Sequence, residues 1–167
     1  MANDKCIDLP VTAEAIKASP LGGELSDAQC LMLAQACSAC GIKDQVYLIE
    51  ENQRDDALHV LTKGHMEVVA RTGKGDPVGL QIIREGDMLG ELGFIDGVEH
   101  TASLRALGNC ELIRLERASF EALLDKDPEL VYKVMRAIIR TVHRILRNMN
   151  IQQVELTNYI ANQNGRY

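Results

Sequence analysis

Residues 84–106 read REGDMLGELGFIDGVEHTASLRA. Two turn signals, Gly86-Asp87 and Asp96-Gly97, flank the pair Gly90-Glu91. A glycine lets the backbone approach a ligand closely, and the free N–H groups in the first turn of a short helix point at an anion. By itself the pair Gly90-Glu91 is too common to indicate a site, so the segment alone predicts glycine-containing turns that lead into a strand.

Turn signals recur at short intervals on both sides of this segment, between residues 41 and 116. They separate brief apolar runs, and two of these runs alternate with a period of two, as strands with one buried face do. This spacing predicts a β-sandwich or roll. The turn signals lie at 72–77, 85–87, 96–97 and 108–109, and the alternating positions are Met66, Val68, Ala70, Ala102, Leu104 and Ala106.

Helical signals flank the predicted strands. Residues 12–18 are predicted as a short helix stopped by Pro20, and Ser26 with Gln29 forms a capping box for a helix over 27–39. Asp127-Pro128-Glu129 predicts the start of a long helix to about Asn164. The predicted fold is mainly β with flanking helices, divided into an N-terminal extension (1–24), a roll (25–126) and a long C-terminal helix (127–167).

The run Gly90-Glu91-Leu92-Gly93-Phe94, with Thr101-Ala102 and an early Gly64, resembles the phosphate-binding cassette of the cyclic-nucleotide-binding domain family. The resemblance covers the chain from about residue 25 to its end. It implies a double-stranded β-helix of the jelly-roll or cupin type. It also implies a cyclic nucleotide or another small ligand, with no further cofactor, at Gly90, Glu91, Leu92, His100, Thr101 and Ala102. Glu91 would accept hydrogen bonds from a ribose hydroxyl.

The sequence departs from the family pattern at His100, where the spacing from Glu91 calls for arginine, and at Glu99, where it calls for proline. Arginine binds a phosphate with a permanently charged, bidentate fork, whereas a mostly neutral imidazole offers one donor. We therefore expect cAMP and cGMP binding to be weakened or lost. Two alternatives stay open: a protonated His100 partly restores the cation, or Glu91 only caps its own helix and His100 only begins a strand.

The long helix carries an a/d heptad pattern that predicts a homodimer. Additional apolar residues at Val134, Ile139 and Leu146 widen the apolar face, so packing inside one chain is the alternative. The predicted dimer residues are Val131, Met135, Ile138, Val142, Ile145 and Met149. A basic stripe on the same helix either pairs with acids of the roll or docks an acidic partner or nucleic acid. The stripe consists of Arg136, Arg140, Arg144 and Arg147.

Charge and length argue against several partners. The net charge of −6 disfavours a general affinity for polyanions, and the residues after the predicted long helix leave no room for a helix-turn-helix, so we expect no direct DNA binding. The sequence has no apolar run of about 18 residues and no apolar leader, so we expect a cytoplasmic protein that does not enter membranes.

The sequence shows no catalytic or metal site. Its four histidines are scattered, no nucleophile pairs with a base, and the spacing of Cys37-x-x-Cys40 with Cys30 and Cys110 matches no familiar metal site. We expect five free thiols, with Cys30 and Cys37 on one face of the second helix. The function expected is a non-enzymatic regulatory sensor, for which a separate output protein is one possible partner. The alternatives are a ligand-free interaction scaffold and a sensor of a different small ligand.

Overall fold

The computed structural model describes residues 9–70 and 77–164. Its strands are β1 (Leu9–Pro10), β2 (Cys37–Ile42), β3 (Tyr47–Ile49), β4 (Ala57–Ala70), β5 (Val78–Ile83), β6 (Met88–Leu89) and β7 (Ser103–Glu116). Its helices are α1 (Ala13–Ala18), α2 (Asp27–Ala36), α3 (Glu91–Asp96), α4 (Arg117–Glu121) and α5 (Pro128–Asn164). The predicted architecture, a mainly β roll with N-terminal helices and a long C-terminal helix, is confirmed.

The strands pair antiparallel in the order β1-β2-β7-β4-β5, with β3 added to β7 and β6 added to β4. β4 and β7, each 14 residues long, form the centre of the roll. Gly64 lies inside β4, where the register shifts, rather than between two separate strands. Its φ of 95° is accessible to glycine, and a Cβ there would lie 2.7 Å from the carbonyl oxygen of Asn109.

The predicted cap of α2 is confirmed and α1 begins one residue later than predicted, after the cap Thr12, but the end of α2 does not agree with the prediction. The side chain of Thr12 accepts from the N–H of Ala15, and Ser26 and Gln29 form both bonds of the capping box. α2 ends at Ala36 instead of residue 39, because the chain from Cys37 onward pairs with β7. Cys37 therefore lies on a strand and does not share a helical face with Cys30, so that prediction was wrong.

One thiol prediction also needs correction. Cys40 is disulfide-bonded, whereas Cys30, Cys37 and Cys110 are free thiols as expected. Burial raises the pKa of Cys37 to about 12, which keeps it protonated and unreactive. Within residues 9–70 and 77–164, no three His, Cys, Asp or Glu side chains converge as a metal site.

The core has two clusters. One fills the interior of the roll around Leu61, Met66 and Leu112, and the other lies between the sheet and the helices around Leu58, Phe94 and Leu115. The first half of α5 belongs to the second cluster, with Leu130, Val134 and Ile138 at 0% exposure. At about 1.5–3 kcal/mol for each buried aliphatic side chain, this contact makes α5 part of the folded unit.

α5 begins after Asp127, whose carboxylate accepts from the N–H of Leu130 at 2.9 Å. Three residues of the basic stripe pair with acids of the same chain. Arg136 and Arg140 contact Glu24, and Arg144 lies 3.6 Å from Asp87. The predicted pairing with an acid of the roll therefore applies to Arg144, whereas Arg136 and Arg140 pair with an acid of the N-terminal extension. In the part of the chain described, no helix is long and apolar enough to cross a membrane.

Candidate functional site

A cleft of about 200 Å³ opens where α3, β5 and the middle of α5 meet. It contains five of the six predicted ligand residues: Gly90, Glu91, His100, Thr101 and Ala102. The sixth, Leu92, does not line the cleft and is 55% exposed. The remaining lining residues are Val68, Gln81, Ile83, Met88, Leu89, Leu104 and Ile145. The cleft therefore has largely apolar walls with a few polar groups at one end, as ligand sites commonly do.

Gly90 shapes the polar end of the cleft. It is the N-cap of α3 in the left-handed region, at φ 78°, and a Cβ there would lie 2.9 Å from the carbonyl oxygen of Ala57. Both the backbone conformation and the close approach to β4 require glycine. The first turn of α3 consequently begins directly at the cleft.

Glu91, the first residue of α3, is a largely buried carboxyl. Burial raises its pKa, while a hydrogen bond from its own backbone N–H and the nearby His100 act in the opposite direction. The bond to its own N–H corresponds to the capping alternative drawn from the sequence. The carboxylate nevertheless lines the cleft, and it has acceptor positions beyond that single bond.

His100 is held at the cleft by its backbone and its ring. Its N–H donates to the carbonyl oxygen of Gln53 at 3.0 Å, and its carbonyl accepts from the N–H of Asn52 at 2.8 Å. The ring packs on α3, since a Cβ at Gly93 would lie 3.1 Å from Nε2. Nε2 is buried and has no hydrogen-bond partner among the described residues. None of the described lining residues is lysine or arginine.

A second histidine behind the cleft was not singled out by sequence reasoning. His59 on β4 is 1% exposed, its Nδ1 has no hydrogen-bond partner in the described chain, and the nearest carboxylate oxygen, on Asp55, is 3.8 Å away. Burial lowers the pKa of His59 to about 3, and the nearby Arg114 and His100 act in the same direction. Burial raises the pKa of Asp55. In the sequence, the burial of His59 was indicated only by its position as a lone histidine inside the apolar run 57–61.

The structure places the predicted dimer residues in different environments. Val131 and Ile138 are buried inside one chain and Met135 packs against them, so Ile138 leaves no surface for a partner. Ile145 lines the cleft. Met149 is 58% exposed. Val142 is half-buried. The exposed apolar residues of α5, of which only Met149 belongs to the predicted set, are Tyr132, Ile139, Leu146, Met149, Ile151, Val154, Leu156, Tyr159 and Ile160.

Comparisons with known proteins agree with this geometry. A family model described as cyclic nucleotide-binding domain matches residues 42–127. The cAMP-activated global transcriptional regulator CRP of Salmonella typhimurium strain LT2 is 26% identical over 116 residues, which cover 68% of this chain and 55% of that protein. The chain thus spans about half the length of this curated relative.

Solved structures show the same fold. A cyclic nucleotide-binding domain from Methylobacillus flagellatus KT superposes with a TM-score of 0.80 at 19% identity, covering 90% of this chain and 89% of that one. A regulatory subunit of a cAMP-independent protein kinase A from Trypanosoma cruzi, bound to guanosine, superposes with a TM-score of 0.61 at 23% identity. It covers 81% of this chain and 49% of the subunit.

Proposed function

This chain belongs to the cyclic nucleotide-binding domain family, and from that premise we propose that it is a non-enzymatic regulatory module whose cleft binds cAMP and cGMP weakly or not at all. The observation that carries the proposal is His100, which lines the cleft where the family pattern calls for arginine. No lysine or arginine among the described lining residues replaces the missing cation.

The energies of the hydrogen bonds involved support a large loss of affinity for cAMP and cGMP. A hydrogen bond to a charged group contributes about 1.5–3 kcal/mol, so replacing a bidentate guanidinium by one imidazole weakens phosphate binding about 10- to 100-fold.

Restoring the arginine tests this proposal. In the variant His100→Arg we expect calorimetry at pH 7.5 to show cAMP binding about 10- to 100-fold tighter than in the wild type. His65→Arg is the matched control, because it adds the same charge at an exposed position on β4 that does not line the cleft. Sub-micromolar binding of cAMP by the wild type, or no gain in His100→Arg, contradicts the proposal.

A second candidate ligand is an uncharged nucleoside. The apolar walls and the lack of a described lining cation favour a ligand without a phosphate, whose sugar hydroxyls Glu91 would bind. The guanosine in the T. cruzi neighbour supports this class. Calorimetry of the wild type with guanosine and adenosine tests this candidate. If neither nucleoside produces a heat of binding, the ligand-free scaffold remains as the function.

We propose that the chain acts by binding protein partners and that one of these partners is a second copy of the chain. The exposed apolar residues of α5 support a homodimer, because a large apolar surface is rarely left in water. The net charge of −6 and the pairing of three stripe arginines with acids disfavour nucleic acid as the partner.

A further inference from the structure

A second cavity, of about 570 Å³, lies where the loop before β4 meets the end of β7 and the start of α4. We call it the Asp55 cavity. It is larger than the ligand cleft and shares no described lining residue with it. Apart from Ala118, its described lining residues are all charged: Arg54, Asp55, Asp56, Arg114, Glu116, Arg117 and Glu121. A concave site of this size can hold a small ligand.

The arginines of the Asp55 cavity already have anionic partners. The pairs are Arg54 with Glu99 at 3.6 Å, Arg114 with Glu116, and Arg117 with Asp56 at 2.8 Å. Arg117 also donates to the carbonyl oxygens of Gly93 and Phe94 in α3. Because each described lining arginine is paired and the lining acids outnumber the lining arginines, the cavity favours a cationic ligand over an anionic one.

Two carboxylates of the cavity lack such a partner. Asp55 and Glu121 form no ion pair with a lysine or arginine of the described residues. The side chain of Asp55 is 22% exposed and accepts from the N–H of Ala57. Burial raises the pKa of Asp55, while the nearby Arg114 and His100 act in the opposite direction. A cationic donor in the cavity would replace the hydration that the Asp55 carboxylate loses on burial.

The buried ring of His59 provides a second acceptor beside Asp55. The ring is 1% exposed, and Nδ1, which has no hydrogen-bond partner in the described chain, lies 3.8 Å from a carboxylate oxygen of Asp55. This separation is too long for a hydrogen bond, but one nitrogen donor about 2.9 Å from each atom would bridge them. Burial lowers the pKa of His59 to about 3, so the ring is neutral at pH 7 and Nδ1 can accept.

This set of acceptors suits an organic cation better than a metal ion. Within residues 9–70 and 77–164, no three His, Cys, Asp or Glu side chains converge as metal ligands. An ammonium or guanidinium group instead needs acceptors for several N–H donors and a carboxylate for its charge. Because the cavity has two carboxylates without a cation, Asp55 and Glu121, it suits a ligand with a positive charge at each end.

We infer that the Asp55 cavity binds a small organic dication, a diamine or an aminoguanidine, with one cationic group held by Asp55 and Nδ1 of His59 and the other by Glu121. The site is separate from the ligand cleft. The inference therefore does not depend on the proposed function, and neither the success nor the failure of cAMP binding bears on it.

Calorimetry of the full chain with putrescine and agmatine tests the ligand class. We expect both to bind at pH 7.5 and low ionic strength, where the attraction between exposed charges is least screened. The matched probe is 1,4-butanediol, which has the length of putrescine without its charges and should not bind. The absence of binding by both amines at millimolar concentration overturns the inference, and so does equal binding of the diol.

The variant Asp55→Asn tests the residue. It keeps the size of the side chain and an acceptor for the N–H of Ala57, so we expect the variant to fold and to bind putrescine about 10- to 100-fold more weakly. Asp125→Asn is the matched control, because it removes the same charge from an exposed residue that does not line the cavity. Unchanged binding in Asp55→Asn overturns the inference, as does an equal loss in Asp125→Asn, which would indicate attraction to net charge alone.

The ring nitrogen of His59 gives a readout that net charge would not move. Putrescine should shift the nitrogen-15 resonance of Nδ1, because the atom gains a donor, whereas 1,4-butanediol should leave it in place. An unmoved resonance on saturation with putrescine overturns the inference. If Asp55→Asn does not fold, Glu121→Gln takes its place, since Glu121 is exposed and its replacement should weaken putrescine binding about ten-fold. Unchanged binding in Glu121→Gln then overturns the inference.

Discussion

Two histidines near the cleft have a buried ring nitrogen without a hydrogen-bond partner among the residues that the structure describes. His100 lines the cleft and packs on α3, whereas His59 lies within the sheet behind Gly90. Their positions explain different properties of the protein. His100 bears on ligand choice, and His59 bears on how the stability of the fold depends on pH.

His59 makes the fold sensitive to acid. Its pKa falls from 6.5 to about 3 on folding, so the unfolded chain binds a proton that the folded chain excludes between these values. The contribution of neutral His59 to the free energy of unfolding is complete above pH 6.5. It is lost as the pH falls toward 3, by at most about 1.4 kcal/mol per pH unit. Asp55 and Glu91 have raised pKa values and act in the opposite direction.

We therefore expect His59→Leu to flatten the pH dependence. Urea unfolding between pH 7 and 4.5 should show that the free energy of unfolding falls less steeply in His59→Leu than in the wild type. His65→Leu, at an exposed position of the same strand, is the control and should keep the wild-type slope. Equal slopes in all three proteins would remove His59 from the acid sensitivity.

At the scale of elements, α5 has two parts with different environments. Its first half closes the core with Leu130, Val134 and Ile138, and arginines of the same half pair with Glu24 of the N-terminal extension and Asp87 of the roll. Past the cleft the helix is exposed on all described sides. A charge at Ile138 would consequently unfold the chain rather than separate two copies.

Truncating one isoleucine in each part of α5 tests this division. Ile138→Ala removes a fully buried side chain and should lower the free energy of unfolding by about 2–5 kcal/mol. Ile151→Ala removes a side chain that is 49% exposed and should change it by less than about 0.5 kcal/mol. Both are measured by thermal unfolding. A similar small effect at both sites would mean that α5 does not belong to the core.

For the whole molecule, α5 has a heptad row that keeps Val142 and Met149 of the predicted seam and replaces Ile138 and Ile145 by their neighbours Ile139 and Leu146. Its members step by three and four residues, and all but the half-buried Val142 are exposed: Ile139, Val142, Leu146, Met149, Gln153, Leu156 and Ile160. Such a row suits pairing with the same helix of a second copy. Gln153 would meet its symmetry mate there and fix the register, as a polar residue inside a seam does.

We expect Leu146→Glu to separate the dimer without unfolding the roll. Leu146 is 52% exposed in one chain, so its replacement leaves the core intact, while two carboxylates would face each other in the dimer. Sedimentation should give twice 18.4 kDa for the wild type and 18.4 kDa for the variant. Asn148→Glu, on α5 but outside the row, should remain dimeric. A monomeric wild type, or a dimeric Leu146→Glu, contradicts the proposed interface.

The sequence by itself determined the features whose partners lie within a few residues. The caps at Thr12, Ser26 and Asp127 join groups three positions apart, so their residue types suffice to place the helix starts. The turn spacing and the alternation at Leu104 and Ala106 likewise indicated the roll. The Gly90-Glu91 cassette indicated which residues would gather at the cleft.

Only the tertiary structure decided which neighbour covers each apolar or polar face. Pairing with β7 ended α2 at Ala36, and packing of α5 on the roll turned Ile138 inward and Ile145 toward the cleft. The contact of Arg117 with α3 joins residues more than 20 positions apart. A periodic pattern states that a helix has an apolar face, but it does not state what that face meets, because that depends on the path of the whole chain.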